Sequence, residues 1–168
     1  MYLGIEIGGT KLQLAVAAEP GGQLHDLVRL DVAPALGAER IRQQIAEAGR
    51  RLIAEHPVRA IGVGFGGPVD AAVGRTIISH QVGGWEDFPL AHWCQETLGL
   101  PAVLVNDSDA AGLAEARFGA GQGSRVVFYS NAGSGIGGAL VIEGALYRGG
   151  GGVASELGHL RPGLDCCS

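Results

Sequence analysis

Glycine clusters that separate apolar segments constrain the fold of this chain more than any other feature. The 168 residues include 30 glycines, concentrated near positions 8–9, 64–67, 83–84, 133–138 and 149–152. They follow no fixed period, which excludes a collagen-like repeat. Glycines between apolar runs predict tight turns, and places where the backbone approaches a ligand closely.

Composition and charge exclude several classes of protein. Hydrophobic residues make up 46% of the chain and charged residues 17%, so we expect a packed core rather than disorder. The net charge is -5 and the basic residues form no stripe, so nucleic acid is not an expected partner. No apolar run reaches the roughly 18 residues of a membrane span, and we expect no membrane association.

The N-terminus and the cysteines both favour the cytoplasm. The first predicted strand begins at the N-terminus, and no basic stretch or cleavage site is present there, so no secretory signal is expected. Cys94, Cys166 and Cys167 do not make a disulfide framework, which fits a reducing compartment.

Strand and helix patterns alternate along the chain and predict an α/β fold. Met1–Ile7 and Lys11–Ala18 read as two strands of a hairpin joined by a glycine turn. Helical spacing of apolar residues predicts a helix over 38–56, ended by Pro57. The other predicted strands are 24–32, the buried runs 58–65 and 102–105, then 126–130 and 136–143, with helices at 90–98 and 110–118.

This order predicts a mixed sheet with helices, followed by the start of a second, similar domain. We place the first domain at 1–118 and the beginning of the second at 119–168, with a hinge at 119–123. A second domain that began near residue 125 would have nowhere to bury its strands. We therefore expect this chain to be a truncated part of a longer protein.

Two glycine-rich turns are candidate phosphate loops. The first, within the motif Gly4–Lys11, follows the predicted strand Met1–Ile7, where Gly8–Gly9 precede the hydroxyl of Thr10 and the ammonium of Lys11. Backbone N–H groups exposed at such a turn can hold phosphate oxygens. The second turn runs from Gly133 to Gly138, again between strands. Either could be a plain hairpin turn, but together they could clamp a polyphosphate.

Asn106 and Asp107 follow a buried strand and precede a helix. Ligands of α/β sheets bind at the carboxyl ends of strands, and a carboxylate there can accept the proton of an alcohol that attacks a phosphoryl group. The Asn106 amide could bind sugar hydroxyls. Asp107 or Ser108 could instead simply cap the helix. Further on, Glu156 and His159 could bind vicinal hydroxyls, or lie on a solvated turn.

These motifs, in this order, resemble the ROK family of sugar kinases and sugar-responsive repressors, and the resemblance covers nearly the whole chain. It implies an actin-like (ribonuclease H-like) fold and a glucokinase-like transfer of the ATP γ-phosphoryl group to a hexose, at the 6-hydroxyl of glucose or a related aldohexose. It also implies Mg²⁺ and a homodimer. Asp107 would be the catalytic base, and the sugar would contact Asn106, Asp107, Glu156 and His159. The implied phosphate-binding residues are Glu6, Gly8, Gly9, Thr10, Lys11, Gly133, Ser134, Gly135 and Gly137.

The chain departs from the family pattern at several positions. Glu6 stands where Asp is usual, Ser134 where Thr is usual, Asp109 where Asn is common, and Gly66 replaces a proline, which should loosen its turn. Many members bind a structural zinc through the histidine and three downstream cysteines. Here Cys166 and Cys167 are adjacent and no third cysteine follows, so zinc is not expected.

Two alternatives to an active kinase remain at this level. The protein could be a sugar-binding sensor of the same family that has lost catalysis, or an inactive fragment. Regulators of the family carry a DNA-binding helix-turn-helix ahead of the kinase-like part, and no basic helix precedes the first strand here.

Overall fold

The computed structural model describes residues 1–133 and 135–150. The chain divides into two compact units, Met1–Ala110 and a second that begins at Ala111. The domain boundary near residue 118 stays a prediction. Within the described residues, no helix combines the length and apolar character needed to cross a membrane.

The first unit is built on a mixed five-stranded sheet, in which the third, second, first, fourth and seventh strands of the chain lie side by side in that order. Its elements are β1 (Tyr2–Ile7), β2 (Lys11–Ala17), β3 (Leu24–Asp31), a short 3-10 turn (Pro34–Leu36), α1 (Gly37–Glu55), β4 (Ala60–Phe65), β5 (Val69–Asp70), β6 (Arg75–Thr76), α2 (Leu90–Leu98), β7 (Ala102–Asn106) and the start of α3 (Asp107–Phe118). The predicted hairpin of β1 and β2 is confirmed as antiparallel, and β4 and β7 continue the sheet in parallel.

The core lies on one face of this sheet. Alternate residues of β1 and β2 are buried there because side chains of a strand point to opposite faces in turn. The apolar stripe of α1 packs over them, with Ile41, Ile45 and Leu52 at most 1% exposed. Trp85, from the irregular segment before α2, packs edge-on against Phe65 and Phe88 at 5.4 and 5.6 Å between ring centroids.

The expectation that 102–105 forms a buried strand is only partly right. Leu104 is 2% exposed, but Val103 is 66% exposed, because successive side chains of β7 point to opposite faces of the sheet and the core lies on one of them. The pair β5 and β6 was not predicted, since two-residue strands leave no periodic signal.

The second unit contains a three-stranded antiparallel sheet of order β10-β9-β8, made of β8 (Val126–Ala132), β9 (Ile136–Ile142) and β10 (Ala145–Leu146). The helix α3 passes close to β8 and β9 at Gly112. A Cβ at that position would lie 3.1 Å from Cβ of Tyr129 and closer still to Ala139. The absence of a side chain at Gly112 therefore permits this close approach.

Candidate active site

The carboxyl ends of three parallel strands form one edge of the first unit's sheet. Their last residues, Ile7 of β1, Phe65 of β4 and Asn106 of β7, stand side by side in register. The residues that follow, Gly8, Gly66 and Asp107, therefore emerge at the same edge. Ligands of parallel α/β sheets bind at this edge, so the sheet places the predicted site where chemistry is expected.

Asp107 fits against glycines of β4 and of the turn after it. A Cβ on Gly66 would lie 3.3 Å from Oδ2 of Asp107 and 3.6 Å from Cα of Gly8. A Cβ on Gly64 would lie 3.6 Å from Cα of Asp107. The two glycines leave the room in which the carboxylate sits beside the first glycine turn, residues 8–11.

Asn106, rather than Asp107 or Ser108, caps helix α3. Its Oδ1 accepts the backbone N–H groups of Ser108 at 2.9 Å and Asp109 at 3.2 Å, which is the N-cap pattern. The helix accordingly begins at Asp107, three residues before the predicted start. The prediction that Asp107 or Ser108 is the cap was wrong, because the asparagine at the strand end reaches the same N–H groups.

The Asn106 side chain also binds the turn that follows β4. Its Nδ2 donates to the carbonyl oxygen of Gly67 at 3.0 Å and approaches that of Phe65 at 3.5 Å. One amide therefore links the end of β7, the start of α3 and the turn at Gly67. This keeps Asp107, the next residue, in a fixed position.

The pKa of the Asp107 carboxyl is raised above its ordinary value. Burial contributes most, and the nearby negative charge of Glu6 raises the pKa further. Hydrogen bonds from the backbone N–H and the hydroxyl of Ser108, at 2.7 and 3.3 Å to Oδ1, act in the opposite direction. The result is a carboxylate with an increased affinity for a proton at the edge of the sheet.

Glu6 is supported by a chain of side-chain hydrogen bonds across β2 and β3. Gln13 donates its Nε2 to Oε2 of Glu6 at 2.8 Å, and Arg29 donates its Nε to Oε1 of Gln13 at 2.8 Å. Strand register places these three residues opposite one another. The period-two pattern of β2 places Gln13 on the face away from the core, but only the pairing of the strands brings Glu6 and Arg29 beside it.

The first glycine turn keeps two backbone donors available. The N–H of Gly8 donates to the carbonyl oxygen of Lys11 at 2.9 Å, which closes the turn. Within the part of the chain that the structure describes, the N–H groups of Gly9 and Thr10 have no protein acceptor. Thr10 and Lys11 are exposed, so their side chains can reach a ligand at the turn.

In the glycine turn between β8 and β9, the N–H groups of Gly133 and Gly137 form hydrogen bonds within the hairpin itself. The N–H of Gly133 donates to the carbonyl oxygen of Gly135 at 2.8 Å, and that of Gly137 to Oδ1 of Asn131 at 2.9 Å. Ser134 lies outside the described residues. The phosphate-binding role of this second turn stays a prediction.

Four further predicted residues lie outside the described part of the chain: Glu156, His159, Cys166 and Cys167. Sequence reasoning also missed one described residue beside the first glycine turn. The side chain of Gln81, from the irregular segment before α2, lies against Gly9. No local pattern marks Gln81, because its proximity to Gly9 depends on the path of the whole segment.

Comparison with known proteins places these features in a family. The ROK family model matches residues 2–168. A glucokinase of Streptomyces coelicolor is 35% identical, matching 99% of this chain and 52% of its own length. A glucokinase of Halalkalibacterium halodurans is 33% identical, matching 95% of this chain and 49% of its own length. The chain thus spans about half the length of these relatives.

A solved structure agrees with the sequence relatives. The ROK glucokinase of Streptomyces griseus, in complex with glucose and AMPPNP, superimposes with a TM-score of 0.87 at 36% identity, covering 98% of this chain and 51% of that one. The mixed sheet with helices is therefore the actin-like fold of those kinases. Because the family model matches almost the whole of this chain, the chain belongs to the ROK family.

Proposed function

We propose that this protein is an ATP-dependent sugar kinase that transfers the γ-phosphoryl group of ATP to a hydroxyl of a hexose, with the 6-hydroxyl of glucose as the first candidate. The observation that carries the proposal is the position of Asp107, whose carboxylate lies beside the first glycine turn at the carboxyl edge of the sheet. Family membership and the sugar kinases among the relatives support it.

Asp107 acts as the general base. Its oxygen accepts the proton of the sugar hydroxyl while that hydroxyl oxygen forms a bond to the γ-phosphorus of ATP. The bond from the γ-phosphorus to the bridging oxygen breaks, and ADP leaves. The raised pKa improves this base, because a carboxylate with a higher affinity for a proton takes it more readily from the sugar hydroxyl.

The first glycine turn holds the phosphates. The N–H groups of Gly9 and Thr10 and the ammonium of Lys11 are donors of the kind that phosphate oxygens accept. For the second turn, we propose that Gly133, Ser134, Gly135 and Gly137 also bind phosphate, as the family resemblance implies. Catalysis then depends mainly on positioning and charge stabilisation.

Mg²⁺ fits the donor set at this edge. Glu6 and Asp107 are close enough for the charge of one to raise the pKa of the other, and carboxylate oxygens are ligands that Mg²⁺ takes. When bound, the ion neutralises phosphate charge. Glu6, oriented by Gln13, is the residue that we propose to hold it.

The sugar would contact Asn106, Glu156 and His159 in addition to Asp107. In the structure the Asn106 amide already caps α3 and binds Gly67, so a sugar hydroxyl would share its atoms with these partners. We also propose a cytoplasmic location, a homodimer, and hexose and ATP as the partners, without nucleic acid or membrane.

Release of ADP tests the proposal. The chain is incubated with ATP, Mg²⁺ and a panel of glucose, N-acetylglucosamine, fructose, mannose and allose, beside Asp107→Asn and the control Asp26→Asn on β3. We expect the wild-type chain to turn over one of the hexoses. Asp107→Asn should lose this turnover but still bind the sugar, and the control should turn over as wild type does. Turnover that persists in Asp107→Asn would exclude this base. A folded chain that binds sugar without turnover would point to a sensor or an inactive fragment.

A further inference from the structure

The carboxamide of Gln81 covers the first glycine turn. A Cβ built on Gly9 would overlap Oε1 and Cδ of Gln81 and would lie 3.1 Å from its Cβ. The side chain of Gln81 thus occupies the space that any side chain at position 9 would need. Glycine at this position allows a polar group from a distant part of the chain to lie on the turn.

The segment that carries Gln81 is anchored on both sides. Oγ of Ser79 accepts the N–H groups of Gln81 and Val82 at 3.3 and 3.2 Å. The carbonyl oxygen of Gly83 accepts the N–H of Ala38, at the start of α1, at 2.9 Å. Val82 and Trp85 are buried in the core. The backbone therefore holds Gln81 in place, although its side chain is exposed.

The Gln81 carboxamide is available to a ligand. Among residues 1–133 and 135–150, it has no hydrogen-bond partner in the protein. Rotation about its last torsion angle exchanges Oε1 and Nε2, so either an acceptor or a pair of N–H donors can face the turn. The neighbouring N–H groups of Gly9 and Thr10 also lack a protein acceptor.

Two polar side chains from different parts of the chain therefore lie near the turn. Gln81 lies at Gly9, and Asp107 approaches Gly8 by way of Gly66. When it is ionised, Asp107 repels a phosphate bound at the turn. A second side chain that is to favour phosphate there must therefore donate hydrogen bonds and must not add negative charge. A carboxamide provides N–H donors without a charge.

We propose that Gln81 is a phosphate-binding residue, whose Nε2 donates a hydrogen bond to a phosphoryl oxygen held at the turn of residues 8–11. This inference rests on the proposed function, because it takes the turn to be the ATP phosphate site. It adds a residue from the segment between β6 and α2 to a site otherwise built from strand ends.

Binding measurements on the 168-residue chain test this inference. Affinities for ATP and for inorganic tripolyphosphate are measured by calorimetry at low ionic strength. The variants are Gln81→Met, which keeps the length and removes the donors, and Gln81→Glu, which keeps the shape and adds a negative charge. Gln95→Met and Gln95→Glu, at an exposed position of α2, are the matched controls.

We expect Gln81→Met to weaken tripolyphosphate binding about tenfold, as for the loss of a hydrogen bond to a charged group. Gln81→Glu should weaken it more, with a loss that shrinks as salt is added. The Gln95 variants and all melting temperatures should match wild type. Wild-type affinity in both Gln81 variants would overturn the inference and leave the proposed function standing. A wild-type chain that binds neither ATP nor tripolyphosphate would overturn both.

Discussion

Gly66 donates its backbone N–H to the carbonyl oxygen of Ile7 at 2.8 Å. This bond joins the turn after β4 to the end of β1, beside the first glycine turn. A proline at position 66, as is usual in the family pattern, has no N–H and could not make it. Glycine therefore gives the turn a direct hydrogen bond here, which the expectation of a looser turn did not foresee.

Gly66→Pro should lower the free energy of unfolding by about 1–3 kcal/mol, because the Ile7 carbonyl would lose its partner. Gly66→Ala keeps the N–H, so its effect should fall mainly on activity, because its Cβ would lie 3.3 Å from Oδ2 of Asp107 and displace the carboxylate. The Cβ of proline would crowd the same oxygen. Urea unfolding and ADP release measure the two effects. Gly62→Ala is the control, because no atom of residues 1–133 or 135–150 lies within 4 Å of the Cβ that it would add. Equal stability of Gly66→Pro and wild type would contradict the first expectation.

Asn106→Ala should destabilise the protein by about 1 kcal/mol or more, the usual cost of losing an N-cap. Asn106→Ser keeps an oxygen that can cap α3 but loses the donor to Gly67. The stability of this variant should therefore lie between that of Asn106→Ala and that of wild type. Urea unfolding at neutral pH measures all three. If Asn106→Ser and Asn106→Ala are equally destabilising, the cap contributes nothing to stability, and the bond to Gly67 accounts for the whole loss of stability.

Glu6→Gln should lower the pKa of the Asp107 carboxyl. Burial, the larger cause of the raised pKa, is unchanged by this substitution, so the pKa should move only part of the way back. Titration of the carboxyl carbon of Asp107 by NMR, without nucleotide or metal, measures the shift directly. Gln95→Glu provides a control for an unrelated change of one charge. An unchanged titration would mean that the Glu6 charge does not reach Asp107.

Asp107→Asn should make the protein more stable at neutral pH. A carboxyl whose pKa is raised by folding is destabilising when ionised, and this cost grows as pH rises from the ordinary pKa through the raised one. Below the ordinary pKa both states are protonated and the cost disappears. The stability difference between variant and wild type should therefore vanish in acid. Unfolding measured at pH 7 and near pH 3 checks the sign, and a difference independent of pH would contradict it.

Cys94 should be inert towards thiol reagents in the folded protein. Burial raises the pKa of its thiol to about 12, so almost no thiolate forms at neutral pH. The test uses a Cys166→Ser, Cys167→Ser variant, so that Cys94 is the remaining thiol. A colorimetric thiol reagent should react only after denaturation. Fast reaction of the native protein would show that α2 opens readily.

Much of the fold follows from patterns between residues near one another in the sequence. The alternation of β1 and β2 and the glycines between them were enough to predict the hairpin, and helical spacing was enough to predict α1. Membership of the ROK family was likewise apparent from the order of the motifs. The position of Asp107 at a strand end followed from the buried strand before it.

The details of the candidate site needed tertiary structure. Sequence alone offered Asp107 or Ser108 as the cap of α3, whereas the register of β4 and β7 brings the Asn106 amide to both Gly67 and the helix. The register of β1 with β4 in turn places Glu6 near Asp107.

The sequence by itself determined the class of fold, the family and the residues that could carry chemistry. Tertiary structure decided which residues meet: Gly66 with Ile7, Glu6 with Asp107, and Gly9 with Gln81, which no local pattern marks. The physical reason is that propensity and periodicity report interactions over a few residues. Contacts between residues far apart in the chain depend instead on how strands align and how the core packs.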